Sequence, residues 1–146
     1  MKALIAAALM TISFSTFSND LGSVDSLTSI LPVANYTGAD DKGNFCEVEV
    51  NEVNYPAKAI SVTVSNSKNK IFKIINDGSE FLFRSYKQEF IQTERQYVDA
   101  TRNSYVERII RTVNAGDNRL YVVVANELTV NRERTVEAVE CVIDLK

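Results

Sequence analysis

The chain has 146 residues, a formal net charge of −3, two cysteines, and neither histidine nor tryptophan. Without histidine there is no Ser-His or Cys-His catalytic pair and no His-ligated zinc site. Lysine and arginine form no basic run, which excludes the usual electrostatic footprint of a nucleic-acid-binding protein.

The N-terminus reads MKALIAAALMTISFSTFSND. One lysine precedes an apolar run from Ala3 to Phe14, and the small residues Thr16 and Ser18 suit a signal peptidase. Residues 1–18 are therefore expected to be a signal peptide cleaved near Ser18, giving a periplasmic or secreted protein. The apolar run is too short for a transmembrane helix, which needs ~20 residues, so the mature chain is expected to have no transmembrane segment. Residues 19–32 are rich in Ser, Asp and Thr without sustained periodicity, and read as a flexible leader. A single domain is expected over 33–146.

Within that domain the pattern has period two. Asn35–Ala39 and Asn44–Asn51 flank Asp40-Asp41-Lys42-Gly43, a hairpin turn rich in residues that tolerate positive φ. Cys46, Val48 and Val50 share one strand face, with Glu47, Glu49 and Asn51 on the other. Ile60, Val62 and Val64 alternate with Ser61 and Thr63. The turn NSKNK leads into IFKII, and NDGS leads into EFLFRSY. After the turn NAGDN comes the β-branched run RLYVVVANELTV. The last segment, RTVEAVECVIDLK, places Val139, Cys141, Ile143 and Leu145 on one face. Short strands separated by turn chemistry predict an all-β fold, a small antiparallel barrel or sandwich of seven to nine strands. Phe72, Phe81, Phe83 and Leu120 are expected to fill its interior.

Residues 85–113 admit two readings. As a helix, Ser85 and Gln88 make a capping box, and Phe90, Ile91, Tyr97 and Val98 recur seven apart. As a long hairpin, Ile91, Thr93, Arg95 and Tyr97 alternate with Phe90, Gln92 and Glu94 about a turn at DATRN. The strands on both sides favour the hairpin.

In an oxidising compartment two cysteines pair. A Cys46–Cys141 disulfide closes a loop of 95 residues, which the chain-entropy model values at about 4 to 5 kcal/mol. The pairing suits first and last strands that are neighbours. Direct opposition of the two cysteines would set Glu47 against Glu140, which is unfavourable, so a bridge between two packed layers or between offset strands is equally open.

Chemistry-bearing motifs are weak. Glu47 and Glu49 share a strand face, where solvated outer-face positions explain them; Ser85 and Lys87 also share a face, but no oxyanion-type Gly loop accompanies them. DDKGN lacks the spacing of a calcium loop. No catalytic residue, metal site or cofactor is expected. The outline of a short, exported, His-free β domain with a terminal-strand disulfide is similar to small periplasmic lysozyme inhibitors, and YTG resembles the opening strand of lipocalins. The inhibitors' Ser/Gly-rich blocking loop and the lipocalin Gly-x-Trp are both missing, so no residue is carried over.

Tyr and Arg are enriched at binding hot spots, and they concentrate between Arg84 and Arg111. Arg84, Tyr86, Arg95, Tyr97, Arg102 and Tyr105 are the candidate partner-binding residues. The expected function is non-enzymatic binding of an unknown macromolecular partner, with an inhibitor-like role as one form. The alternative is a lipocalin-like carrier holding a small apolar ligand inside a barrel.

Overall fold

The computed structural model describes residues 20–21, 24–54, 57–76, 82–84, 89–99, 101 and 104–145. Its strands are β1 (Asp20–Leu21), β2 (Asn35–Ala39), β3 (Phe45–Asn54), β4 (Lys58–Asn66), β5 (Lys70–Asn76), β6 (Leu82–Arg84), β7 (Glu89–Asp99), β8 (Ser104–Gly116), β9 (Arg119–Val130) and β10 (Glu133–Asp144). One short helix, α1 (Val24–Ile30), precedes β2. The fold is all-β, as the period-two pattern predicts. Eight of the strands have five residues or more, and the sheet curls into a half-barrel. Its order is β1-β6-β7-β8-β9-β10-β2-β3-β4-β5, antiparallel throughout.

Local chemistry sets the turns. In the β2–β3 hairpin the Asp40 carboxylate accepts from the main-chain N–H of Lys42 (3.0 Å) and of Asn44 (2.7 Å). The Asn44 side chain and N–H hold the Asp40 carboxyl below the usual range. Asn66 does the same between β4 and β5, accepting from Lys68 and Asn69 at 2.8 Å each. Two tight hairpins place non-glycine residues at positive φ: Asp117 (50°) and Asn118 (60°), then Asn131 (50°) and Arg132 (73°). Two-residue loops need this hand to match the strand twist. Asn and Asp tolerate it, whereas Arg132 occupies it at a steric cost.

The hairpin reading of 85–113 holds. β7 and β8 pair from Phe90↔Thr112 to Asp99↔Ser104, with an irregularity after Tyr97. The capping-box residues Ser85 and Gln88 lie outside the described residues.

The buried layer is the one the alternation marks. Cys46, Val48 and Val50 on β3, Ile60, Val62 and Val64 on β4, and Cys141 and Ile143 on β10 have no exposed surface. Each aliphatic side chain buried this way contributes about 1.5 to 3 kcal/mol. β3–β5 fold over β8–β10, with β4 and β5 approaching β9 and β5 approaching β8.

The first and last long strands, β2 and β10, are neighbours, through Val142↔Ala39 and Ile143↔Gly38. Cys46 lies one strand further on, opposite Gly38. The Cys46–Cys141 disulfide therefore reaches past β2, with a Cα–Cα distance of 5.7 Å. Glu47 lies opposite Thr37 and Ser65, and Glu140 opposite Val123, so the two carboxylates do not meet. Gly38 makes this convergence possible: a Cβ there would lie 2.0 Å from the Val142 carbonyl oxygen and 3.2 Å from Cys141 Sγ.

Two expectations are corrected. The leader is not uniformly flexible. Val24, Leu27 and Leu31 are fully buried, on the one face that residues three and four apart share, and Asp25 pairs with Lys58 at 2.7 Å. Phe72 is not in the interior but 61% exposed. On β5 the inward positions belong to Ile71, Lys73 and Ile75, so strand parity turns Phe72 outward. Leu120 is buried as expected. Phe81 lies outside the described residues, and Phe83 lies in β6.

Candidate functional site

β7, β8, β9 and β10 are the longest strands. Near Tyr97, Tyr105, Val130 and Glu133 they run past the layer formed by β3–β5. Residues 93–98 and 131–138 are all exposed. This uncovered extension carries half of the sequence candidates.

Register brings them together. Tyr97 lies opposite Tyr105, and Arg95 opposite Glu107. Because side chains alternate, all four share the outer face. Arg95 Nε and one terminal guanidinium nitrogen donate to the same Glu107 Oε1, at 3.0 and 2.7 Å. The guanidinium sits 4.2 Å from the centre of the Tyr105 ring. The Tyr97 ring meets Tyr105 edge-on, with centroids 5.9 Å apart and planes at 64°. Glu107, first among its neighbours, raises the pKa of Arg95 further. The result is an ordered patch of two aromatic rings and one fixed cation. Each contact is individually weak, since a surface cation–π pair is worth about 0.5 to 1 kcal/mol. Their value lies in holding the side chains in one geometry before a partner arrives.

The patch continues across the sheet. Glu107 lies directly opposite Glu127 on β9, a like-charge pair that is unfavourable on its own. An arginine from each flanking strand offsets it: Arg95 on Glu107, and Arg134 of β10 on Glu127. The sequence reading missed Arg134 and Glu127, because their meeting depends on the β9–β10 register. Val136, 51% exposed, lies opposite Glu127 and extends the face.

Other candidates fall elsewhere. Arg84 lies in β6, while Tyr86 and Arg102 lie outside the described residues, as do Ser85 and Lys87. Arg111 ties β8 to Glu89 of β7 at 2.9 Å, a structural role. Arg108 is turned to the opposite, inner face. Glu47 and Glu49 remain on the outer face of β3, where Lys70 approaches Glu49 at 3.5 Å.

On the inner face a second arrangement was not anticipated. Lys73 is 2% exposed, and its Nζ lies 3.0 Å from Glu94 Oε2 on β7. Burial lowers the Lys73 pKa, with Glu94 offsetting part of that effect. The hydrogen bond from Lys73 holds Glu94 below the ordinary carboxylate range. On the outer face Tyr121 donates to Glu140 at 2.5 Å, and burial followed by that bond pushes its hydroxyl up to about 12.

No family model matches the chain, and no curated protein or solved structure matches it either. Among the described residues there is no cluster of His, Cys, Asp and Glu suited to a metal ion, and no helix long and apolar enough to cross a membrane.

Proposed function

We propose that this chain is an exported, non-enzymatic binding protein that contacts a macromolecular partner through the outer face of the β7–β8 extension. The observation that carries this reading is the Arg95–Tyr97–Tyr105 cluster, pre-organised on a part of the sheet that no second layer covers among the described residues. Tyrosine offers a large contact area at a low ordering cost, and Arg95 adds a directional cation already fixed by Glu107. The apolar start of the chain and the buried disulfide support export. The side-chain-filled interior supports a packed binding domain over the carrier alternative.

The test is affinity capture from the envelope of the source organism with wild-type protein, compared with Tyr97→Ala combined with Arg95→Ala. The double variant is expected to weaken the captured partner's binding by at least about tenfold, or 1.4 kcal/mol. Undiminished binding by a folded double variant overturns the proposal.

A further inference from the structure

We infer that the gap between β5 and β7 is a strand-addition site for an extended acidic segment of a partner protein. This surface is separate from the Arg95–Tyr97–Tyr105 patch and does not depend on it.

β5 ends the sheet and, among the described residues, pairs only with β4. β6 pairs with β7 only from Glu89 to Ile91, so among the described residues the rest of β7, from Gln92 onward, pairs only with β8. Two strand edges thus flank one opening, and among the described residues no backbone ladder joins them. The link between them is a side-chain ion pair, Lys73–Glu94. A groove of about 530 Å³ occupies the opening. Phe72, Ile74 and Lys73 line its β5 side, and Glu94, Arg108 and Asn126 line the other.

An unpaired edge is a template for another strand. The side chains around it specify which strand. Of the cations lining the groove, Lys70 approaches Glu49 and Lys73 is bonded to Glu94, which leaves Arg108 as the cation that favours an acidic occupant. β5 parity refines this choice. Beside Lys73 the inward positions of an added strand face Arg108 across the groove, and suit Glu or Asp. Its outward positions lie beside Phe72, 61% exposed, and Ile74, and suit apolar residues.

A second copy of the chain fits less well. Two β5 strands paired antiparallel about their midpoint would bring Lys73 opposite its own copy, a like-charge contact. An inward-pointing charge on an edge strand is a known guard against such self-pairing.

The test uses isotope-labelled protein and three end-blocked peptides of about ten residues, a typical strand length or longer. One alternates Glu and Val, one alternates Lys and Val, and one is the Glu–Val peptide N-methylated at alternate residues. The Glu–Val peptide is expected to bind saturably, to protect amides of residues 70–76 from hydrogen exchange, and to bind at least about tenfold more tightly than the other two. Lys70→Glu combined with Arg108→Glu is expected to weaken it at least tenfold, with the amide spectrum of the core unchanged. Absence of saturable binding overturns the inference. Equal binding of the Lys–Val or N-methylated peptide, or protection confined to other strands, also overturns it. Protection of 70–76 by self-association without peptide would assign the edge to a second copy instead and likewise overturn it.

Discussion

Replacing Lys73 by methionine is expected to leave the protein as stable as wild type or make it more so. The Lys73 side chain is 1% exposed, whereas that of Glu94 is 54% exposed. Burying an ammonium costs several kcal/mol even after relaxation. At 3.0 Å and an effective dielectric constant of about 20, the Coulomb attraction returns about 5 kcal/mol. The two nearly cancel, and the lowered Lys73 pKa shows that burial wins. Methionine has a similar length and no charge, and Glu94 remains solvated without its partner. A gain of about 0 to 2 kcal/mol follows, the lower part of the range for replacing buried ion pairs with apolar residues. Glu94→Gln has the opposite effect, since it strands a buried cation, and should cost about 3 kcal/mol.

Urea denaturation of both single variants and the double variant reads this asymmetry, and pH supplies a sign. A lysine whose folded pKa is depressed binds fewer protons in the folded state than in the unfolded state. Wild-type stability should therefore rise with pH between the depressed folded pKa and the ordinary 10.5, and Lys73→Met should lack that rise. The depressed Glu94 pKa contributes stability present above 4.5 and lost as pH falls through its folded value. If Lys73→Met destabilises by more than about 1 kcal/mol while Glu94→Gln is neutral, the reasoning from burial is wrong.

Cys141→Ser should lower stability by about 4 to 5 kcal/mol in the chain-entropy model, given a loop of 95 residues, as read by denaturation of the variant against the oxidised wild type. Gly38→Ala should cost about 1 to 3 kcal/mol or more, because its Cβ meets the Val142 carbonyl at 2.0 Å; an unchanged melting temperature would contradict the close approach of β2 and β10. Ultraviolet titration should find one tyrosine ionising at about 12 that disappears in Tyr121→Phe. Because that folded pKa is raised, the associated stability is present below about 10 and lost as pH rises towards 12.

Much of the fold is legible because burial on one sheet face writes itself into alternation. Cys46-Val48-Val50 and Ile60-Val62-Val64 are read correctly from their neighbours alone. What escapes the sequence depends on partners far along the chain. Helix α1 has two turns and two buried apolar residues, too few to stand out within a Ser- and Thr-rich stretch. Phe72 looks like a core residue, and Lys73 like a solvated one. β5 is an edge strand whose inward face includes Lys73, and only the arrival of Glu94 from β7 makes that position tolerable. The Asn131-Arg132 turn is hidden for a different reason: arginine is a poor marker of positive φ. In the candidate patch, Arg95, Tyr97 and Tyr105 could be found from composition and parity. Their neighbours Glu127 and Arg134 come from strands whose register no local pattern specifies.

The most direct test of the proposed function is site-specific photo-crosslinking in cells of the source organism. A photoreactive phenylalanine analogue is placed at Tyr97, and in a control at Glu47, which is exposed on β3 well away from the patch. The account predicts a discrete adduct with a macromolecular partner at position 97 that is absent at position 47. No adduct at 97, or the same adducts at both positions, would contradict it.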